Sequence, residues 1–425
     1  MRKVVVVGGG WAGCAAAYMA AKKGCQVDLM ERTDMLLGTG LVGGIMRNNG
    51  RFTATEEAIC LGIGDLFKVV DENCLHTNIE FPGHKHASLY NVAIMEPVIK
   101  NVLLDTGVDI HLQTRISEVE VENSKIKQIE SADKRTFSGD VFIDTTGTAG
   151  PISNCTKHGK GCAMCVLRCQ SFGGRISLTA RAGVEEMIGV RPDGSMGAMS
   201  GSCKLLKESL SSYIVDELNQ NGVVVISVPK DQINTDKLST KACQQYASQD
   251  YAENIILLNT GHAKLMSPCY PLELLRLIPG MERARYEDPY AGGLGNSMRY
   301  FGMAPRNDAL KVEEVDNLFC AGEKAGLLVG HTEAIVTGSL AGLNAARYSA
   351  ELEPVIFPET LSVGSAVTYV RKEMQTEEGK LKKYTFSGAV LFEHMKEFGL
   401  YTTDLGEIKS RVEKTGLQEV IAERI

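Results

Sequence analysis

Two groups of residues in this 425-residue chain have the types and spacing to do chemistry. The first is Gly8-Gly9-Gly10-Trp11-Ala12-Gly13, set directly after the β-branched run KVVVV at residues 3–7. In such a turn Gly8 permits the sharp reversal, Gly10 lets the backbone approach a pyrophosphate, and Gly13 allows close helix–strand packing. Glu31 follows Gly8 by 23 residues, where a carboxylate accepts hydrogen bonds from an adenosine ribose. The second group is Cys155-x6-Cys162-x2-Cys165-x3-Cys169, four thiols within 15 residues. As thiolates they suit tetrahedral Zn²⁺ or an iron–sulfur cluster of the 4Fe–4S kind, with His158 as a substitute ligand. The compact C-x2-C-x3-C end is closer to cluster ligation than to a zinc finger. A redox disulfide pair and ordinary thiols are the other two readings.

The elements that must position these residues follow from pattern. Residues 3–7 predict a strand buried on both faces, 15–23 a helix stopped by Gly24, and 26–30 a second strand ending at Glu31. That order is a βαβ opening whose helix N-terminus offers amides and a positive dipole end to phosphates. Residues 317–322 (NLFCAG) form another apolar strand ending in Gly322, followed by Glu323. Backbone amides and one carboxylate there suit the ribityl chain and pyrophosphate of FAD rather than a nicotinamide nucleotide. Residues 140–147 (DVFIDTTG, ending at Gly147) predict a further strand and turn, and 333–348 a helix with Gly338, Ala341 and Ala345 on one face beneath a flavin.

Three pieces converging on one nucleotide resemble the glutathione-reductase-type flavoprotein fold. The expected class is α/β: a Rossmann-like FAD-binding domain with an inserted α+β second domain. The expected division is 1–150 and 271–350 for the two parts of the cofactor domain, 151–270 for the inserted substrate and cysteine-cluster domain, and 351–425 for a C-terminal helical segment. Inside the insert, 205–219 reads as a helix. Between the cofactor pieces, 95–105 reads as a helix, and 116–122 with 125–130 as a hairpin turning at Asn123-Ser124. His84 and His86, in the polar stretch FPGHKH, read as solvent-facing. Met303 is expected against the flavin ring, and Trp11 over the nucleotide edge or an adjoining strand.

Composition removes several function classes. At 44% hydrophobic and 23% charged the chain reads as a folded soluble protein. Its 44 glycines carry no three-residue period, which excludes collagen. The balance of 45 Lys+Arg against 52 Asp+Glu, net −7, speaks against a non-specific nucleic-acid coat. No apolar stretch reaches the roughly 18 residues of a membrane helix, and glycines cut the N-terminal apolar run after four valines. A cytoplasmic protein with reduced thiols is expected, compatible with a homodimer.

Residues 277–347, the segment PETLSVGSAVTYV at 358–370, and Cys269-Tyr270-Pro271-Leu272-Glu273 together resemble the folate- and FAD-dependent RNA uracil-5-methyltransferases. They are also similar to the glucose-inhibited division protein A family, which modifies wobble uridines of tRNA. The resemblance implies an FAD-dependent oxidoreductase working on uridine C5 in RNA. It implies that the thiol of Cys269, in a C-x-P-[IL]-E motif, adds to C6 of uracil so that C5 becomes nucleophilic. Glu273 then orients the loop or transfers a proton, and Cys60 is the best-placed second thiol. FAD is held by Gly8, Gly10, Gly13, Glu31, Gly147, Gly322, Glu323 and Glu333, with NAD(P)H or a folate as reductant. This sequence departs from the methyltransferases in having Gly330-His331 where they carry Gly-Tyr, in nearly lacking the segment between CYPLE and LIPGM, and in the four-cysteine run. The alternative is a flavin dehydrogenase of a small molecule, with an iron–sulfur or zinc centre at Cys155, Cys162, Cys165 and Cys169.

Overall fold

Val4–Val7 are almost wholly excluded from water, as an all-apolar strand in the middle of a parallel sheet must be. The structure is a computed structural model and describes residues 2–147, 168–190, 194, 198–200, 202–233, 235, 238, 244–267, 270–287, 297–299 and 301–425. Five parallel strands lie side by side in the order Leu318–Cys320, Val141–Asp144, Lys3–Val7, Gln26–Met30, Val108–His111. The chain reaches its last strand at the edge beside Val141–Asp144. The C-terminal ends of three strands, at Val7, Asp144 and Cys320, therefore come level.

The opening helix Trp11–Lys22 and the closing helix His331–Ser349 run in contact beside this sheet. Their closeness is set by glycine. A β-carbon on Gly338 would stand 2.2 Å from Ala12 O, and one on Gly342 2.3 Å from Ala16 O. The small face expected beneath a flavin is thus spent on the opening helix, with Gly338 and Gly342 at its centre. A three-stranded meander, Ile116–Glu122, Lys125–Ser131 and Thr136–Ser138, is tied to the last strand by Asn317, whose side chain pairs with both backbone groups of Ile126 at 2.8 and 2.9 Å.

A second unit carries its own core. Its antiparallel sheet runs Cys203–Leu205, Ala263–Leu265, Asn254–Asn259, Val223–Ser227, covered by the helix Ser212–Asn221. Leu275, Ile278, Met281, Ala284 and Tyr286 join this core, so residues 271–286 lie in it rather than in the cofactor domain. The helix expected over 205–219 starts at Ser212, because Leu205 is held in a strand by pairing with Ala263.

The C-terminal segment is built into the first core: Val355, Phe357, Leu361, Val367 and Ile421 are buried with the sheet. Buried Glu57 caps the helix Ser362–Glu373 from outside, accepting from the amides of Ser362 and Val363 at 3.0 Å each. The FPGHKH stretch corrects the sequence reading. It is a hairpin turn between Cys74–Phe81 and His84–Tyr90, and His84 is only 2% exposed, its ring tilted against those of Phe81 and Tyr246 with centroids 4.7 and 4.8 Å away. Among the described residues no helix is long and apolar enough to cross a membrane.

Candidate functional site

The level strand ends open into one cleft of about 1140 Å³, part of it continuous with solvent. Gly8, Gly10, Trp11, Glu31, Gly147, Gly322 and Glu323 all line it, so the turns expected to meet one nucleotide do converge. Each glycine has its own reason. Gly8 has φ +106°, and Gly13 packs so tightly that a β-carbon would stand 1.8 Å from Gly8 O. Gly10 differs: a β-carbon there meets no protein atom within 4 Å and would project into open space. That is the cradle a close-lying ligand backbone needs.

Two helix N-termini face the same space. The opening helix is N-capped by Gly10 without a side-chain cap and has no acid in its first turn, so its amide donors and dipole stay unneutralised. The closing helix starts at His331 after Gly330, also without a side-chain cap, and Gly330, His331 and Ala334 line the cleft. Its first-turn acid, Glu333, is buried and turned to Arg51 (Nε–Oε1 3.2 Å), Thr385 Oγ1 (2.7 Å) and the Phe386 amide (2.8 Å). Glu333 is therefore part of the wall behind the cleft and not of its lining, while its Oε2 has no hydrogen-bond partner among the described residues.

Glu31 ends the second strand, 8% exposed, and accepts from the amides of Gly9 (Oε2, 2.8 Å) and Thr33 (Oε1, 2.8 Å). Each oxygen retains a lone pair for a ligand hydroxyl. Asp144, wholly buried, accepts from Thr146 N, Thr146 Oγ1, Thr179 N and Thr179 Oγ1 at 2.7–3.0 Å, which fixes the turn leading to Gly147. Gly322 N donates to Thr337 Oγ1 of the closing helix at 2.9 Å. Wholly buried Lys324 pairs with Glu186 and donates to Ser177 Oγ at 2.8 Å. Burial raises the thiol of Cys14, beneath the glycine turn, and pushes Cys320 up to about 12, so both stay protonated.

Several lining residues had no cofactor role in the sequence reading: Arg32, Arg115 and Arg168 towards Glu31, Arg175 beside Gly147, and Gly38, Thr39, Leu41 and His331 beside the closing helix. The glycine-dense run TGLVGG at 39–44 was their one visible signal. Trp11 lines the cleft, yet its indole stands edge-on to buried Tyr90 of an adjoining strand, ring centroids 6.1 Å apart. Met303 is fully buried in the core and is not among the described residues lining the cleft.

Cys269 lies outside the described residues; Glu273 is exposed at the start of the short helix Leu272–Leu275. Cys60 ends the helix Gly50–Cys60, its carbonyl bonded to Gln418 Nε2 at 2.8 Å, and does not line the cleft; burial raises its thiol. Cys155, Cys162 and Cys165 lie outside the described residues, whereas Cys169 opens a short helix. Among the described residues no three His, Cys, Asp or Glu side chains are grouped to hold a metal.

Comparison with known proteins agrees with this architecture. Residues 3–273 and 249–353 match the family described as glucose inhibited division protein A. The methylenetetrahydrofolate–tRNA-(uracil-5-)-methyltransferase TrmFO of Desulfotalea psychrophila is 23% identical over 411 residues, 88% of this chain and 87% of that enzyme. The enzyme of the same name from Bacillus cereus is 32% identical over 146 residues, 33% of this chain; the chain spans only 29% of that relative's length. Among solved structures, Aquifex aeolicus GidA in its form II crystal superposes with a TM-score of 0.65 at 16% identity, covering 97% of this chain and 76% of that one. The fold is shared.

Proposed function

This chain belongs to the glucose inhibited division protein A family, and we propose that it is an FAD-dependent oxidoreductase acting in C5 modification of tRNA uridines. The observation that carries the cofactor reading is the cleft itself. Three turns from separate parts of the chain meet there, Gly10 leaves room for a ligand backbone, and two uncapped helix N-termini open on it. The donor set fits FAD. The amides at the start of the opening helix would hold the pyrophosphate, Glu31 the adenosine ribose, and Gly147, Gly322 and Glu323 the ribityl end. When bound, FAD supplies hydride transfer or carriage of a one-carbon unit.

The chain's own residues do the rest. Positive helix ends and the four arginines favour negative charge in the cleft, while Asp144, Lys324 and Arg51 fix the turns that shape it. The Cys269 thiolate adds to C6 of a uracil ring and leaves again once C5 has been substituted, as the C-x-P-[IL]-E resemblance supports. Glu273 is the nearby group for orienting that loop or moving a proton. The reading gives Cys60 no step. What supports the RNA substrate is similarity to relatives whose names include tRNA uracil-5 methylation, one of them along 88% of this chain.

The test is direct. The purified protein should carry FAD, and RNA from a deletion strain should lack one C5-modified uridine by mass spectrometry. Anaerobic addition of NAD(P)H or a methylene-folate should identify the reductant. Cys269→Ala should abolish turnover with FAD content unchanged; full activity in that variant removes the nucleophile.

A second reading, small-molecule dehydrogenation with a metal centre, is favoured by one observation. Gly147 and Arg168, which flank the cysteine-bearing residues 148–167, both line the cleft. Iron, sulfide and zinc analysis of anaerobically prepared protein decides it.

A further inference from the structure

The run 38–44 meets the start of the closing helix at one wall of the cleft. His331, first residue of that helix and half-buried, lines the cleft with Thr39, Leu41, Gly322 and Glu323. The Cε1 edge of its ring lies against Gly43: a β-carbon at 43 would stand 1.8 Å from His331 Cε1, 2.5 Å from Nδ1 and 3.0 Å from Nε2. Gly43 does not need to be glycine for its own backbone. It ends the short helix Gly40–Gly43 and is not among the positive-φ glycines, unlike Gly44 at +78°. The ring therefore accounts for the missing side chain at 43.

The seat is braced from the second unit. Lys264 Nζ donates to Val42 O at 2.6 Å, and a β-carbon on Gly44 would meet Thr260 Cγ2 at 2.5 Å. Gly43 is thus held in place and cannot recede from the imidazole. An imidazole nitrogen that faces the ligand can donate to a C=O or accept from an N–H on the edge of a flavin ring.

We propose that His331 is the side chain that hydrogen-bonds the ring system of the bound flavin, and that Gly43 is the positioning residue that seats its imidazole along the wall. The proposal rests on the FAD reading above. A side chain at 43 turns the imidazole out into the cleft, where it competes with the ligand.

The experiment measures FAD affinity of the full chain by fluorescence, the absorption band of the bound flavin, and melting temperature without FAD. His331→Ala weakens FAD about tenfold and shifts the band. His331→Gln, which keeps a donor and an acceptor, stays within about threefold of wild type. Gly43→Ala weakens binding by about a hundredfold, and Gly43→Ala/His331→Ala returns to the level of His331→Ala alone. The proposal is overturned if His331→Ala matches wild type in affinity and spectrum, or if the double variant binds as poorly as Gly43→Ala. A loss of melting temperature in Gly43→Ala that the double variant does not restore overturns the seating role equally. If wild type takes up no FAD, the flavin reading fails and this falls with it; if wild type binds and His331→Ala is silent, only this one fails.

Discussion

Two glycines of the opening turn have opposite reasons to exist. A β-carbon at position 10 finds open space, whereas one at position 13 collides with Gly8 O. Gly10→Ala should therefore fold with an unchanged melting temperature and lose FAD, read as flavin per protein after gel filtration. Gly13→Ala should lose FAD and about 2 kcal/mol of stability in urea. Equal stability of the two variants would contradict this division. His84 makes a different residue-scale statement. Burial, with Arg51 nearby, pushes its imidazole down to about 3, against an ordinary 6.5. Below pH 6.5 the unfolded chain takes up a proton that the folded chain refuses, so stability falls as pH drops toward 3, by about 1.4 kcal/mol per unit. His84→Gln should flatten the decline of melting temperature between pH 7 and 5. The sequence could not reveal this histidine as interior, since HKH in a Pro-Gly turn has the composition of a surface loop.

At the scale of elements, the contact between opening and closing helices is made without side chains at its tightest points. Gly338→Ala places a methyl 2.2 Å from Ala12 O, which the helices can accommodate only by moving apart. The expected result is a loss of about 3 kcal/mol together with weaker FAD binding, because both helix starts line the cleft. Calorimetry and flavin titration on the same sample check both. The βαβ opening was legible because valine run, glycine turn and terminal acid are local and ordered. The closing helix was legible as a helix, but its small face was assigned to the flavin, since periodicity shows that a face is small and not what it touches. The second unit was harder. The leucine spacing at 205–210 mimics a helix, and only the distant partner Ala263 holds Leu205 in a strand. The place of the run 39–44 and of the four cleft arginines in the cleft could not be read for the same reason: their meaning lies in what other parts of the chain bring to them.

Over the whole molecule, the last 70 or so residues behave as interior rather than appendage. Phe357, Leu361, Val363, Val367 and Leu391 are buried in the same core as the parallel sheet, and Glu57 depends on the Ser362 and Val363 amides for its partners. A chain ending at residue 353 should fail to yield soluble, FAD-binding protein, whereas an exposed dispensable tail would leave both intact; expression and gel filtration distinguish these. The backbone-to-backbone weld of the two helices also constrains traffic. The two helix starts that line the cleft cannot move apart without losing that packing, so this side of the cleft is its rigid side. The run 38–44 stands outside that seam: it lines the cleft and is tied at Val42 O to Lys264 of the neighbouring unit.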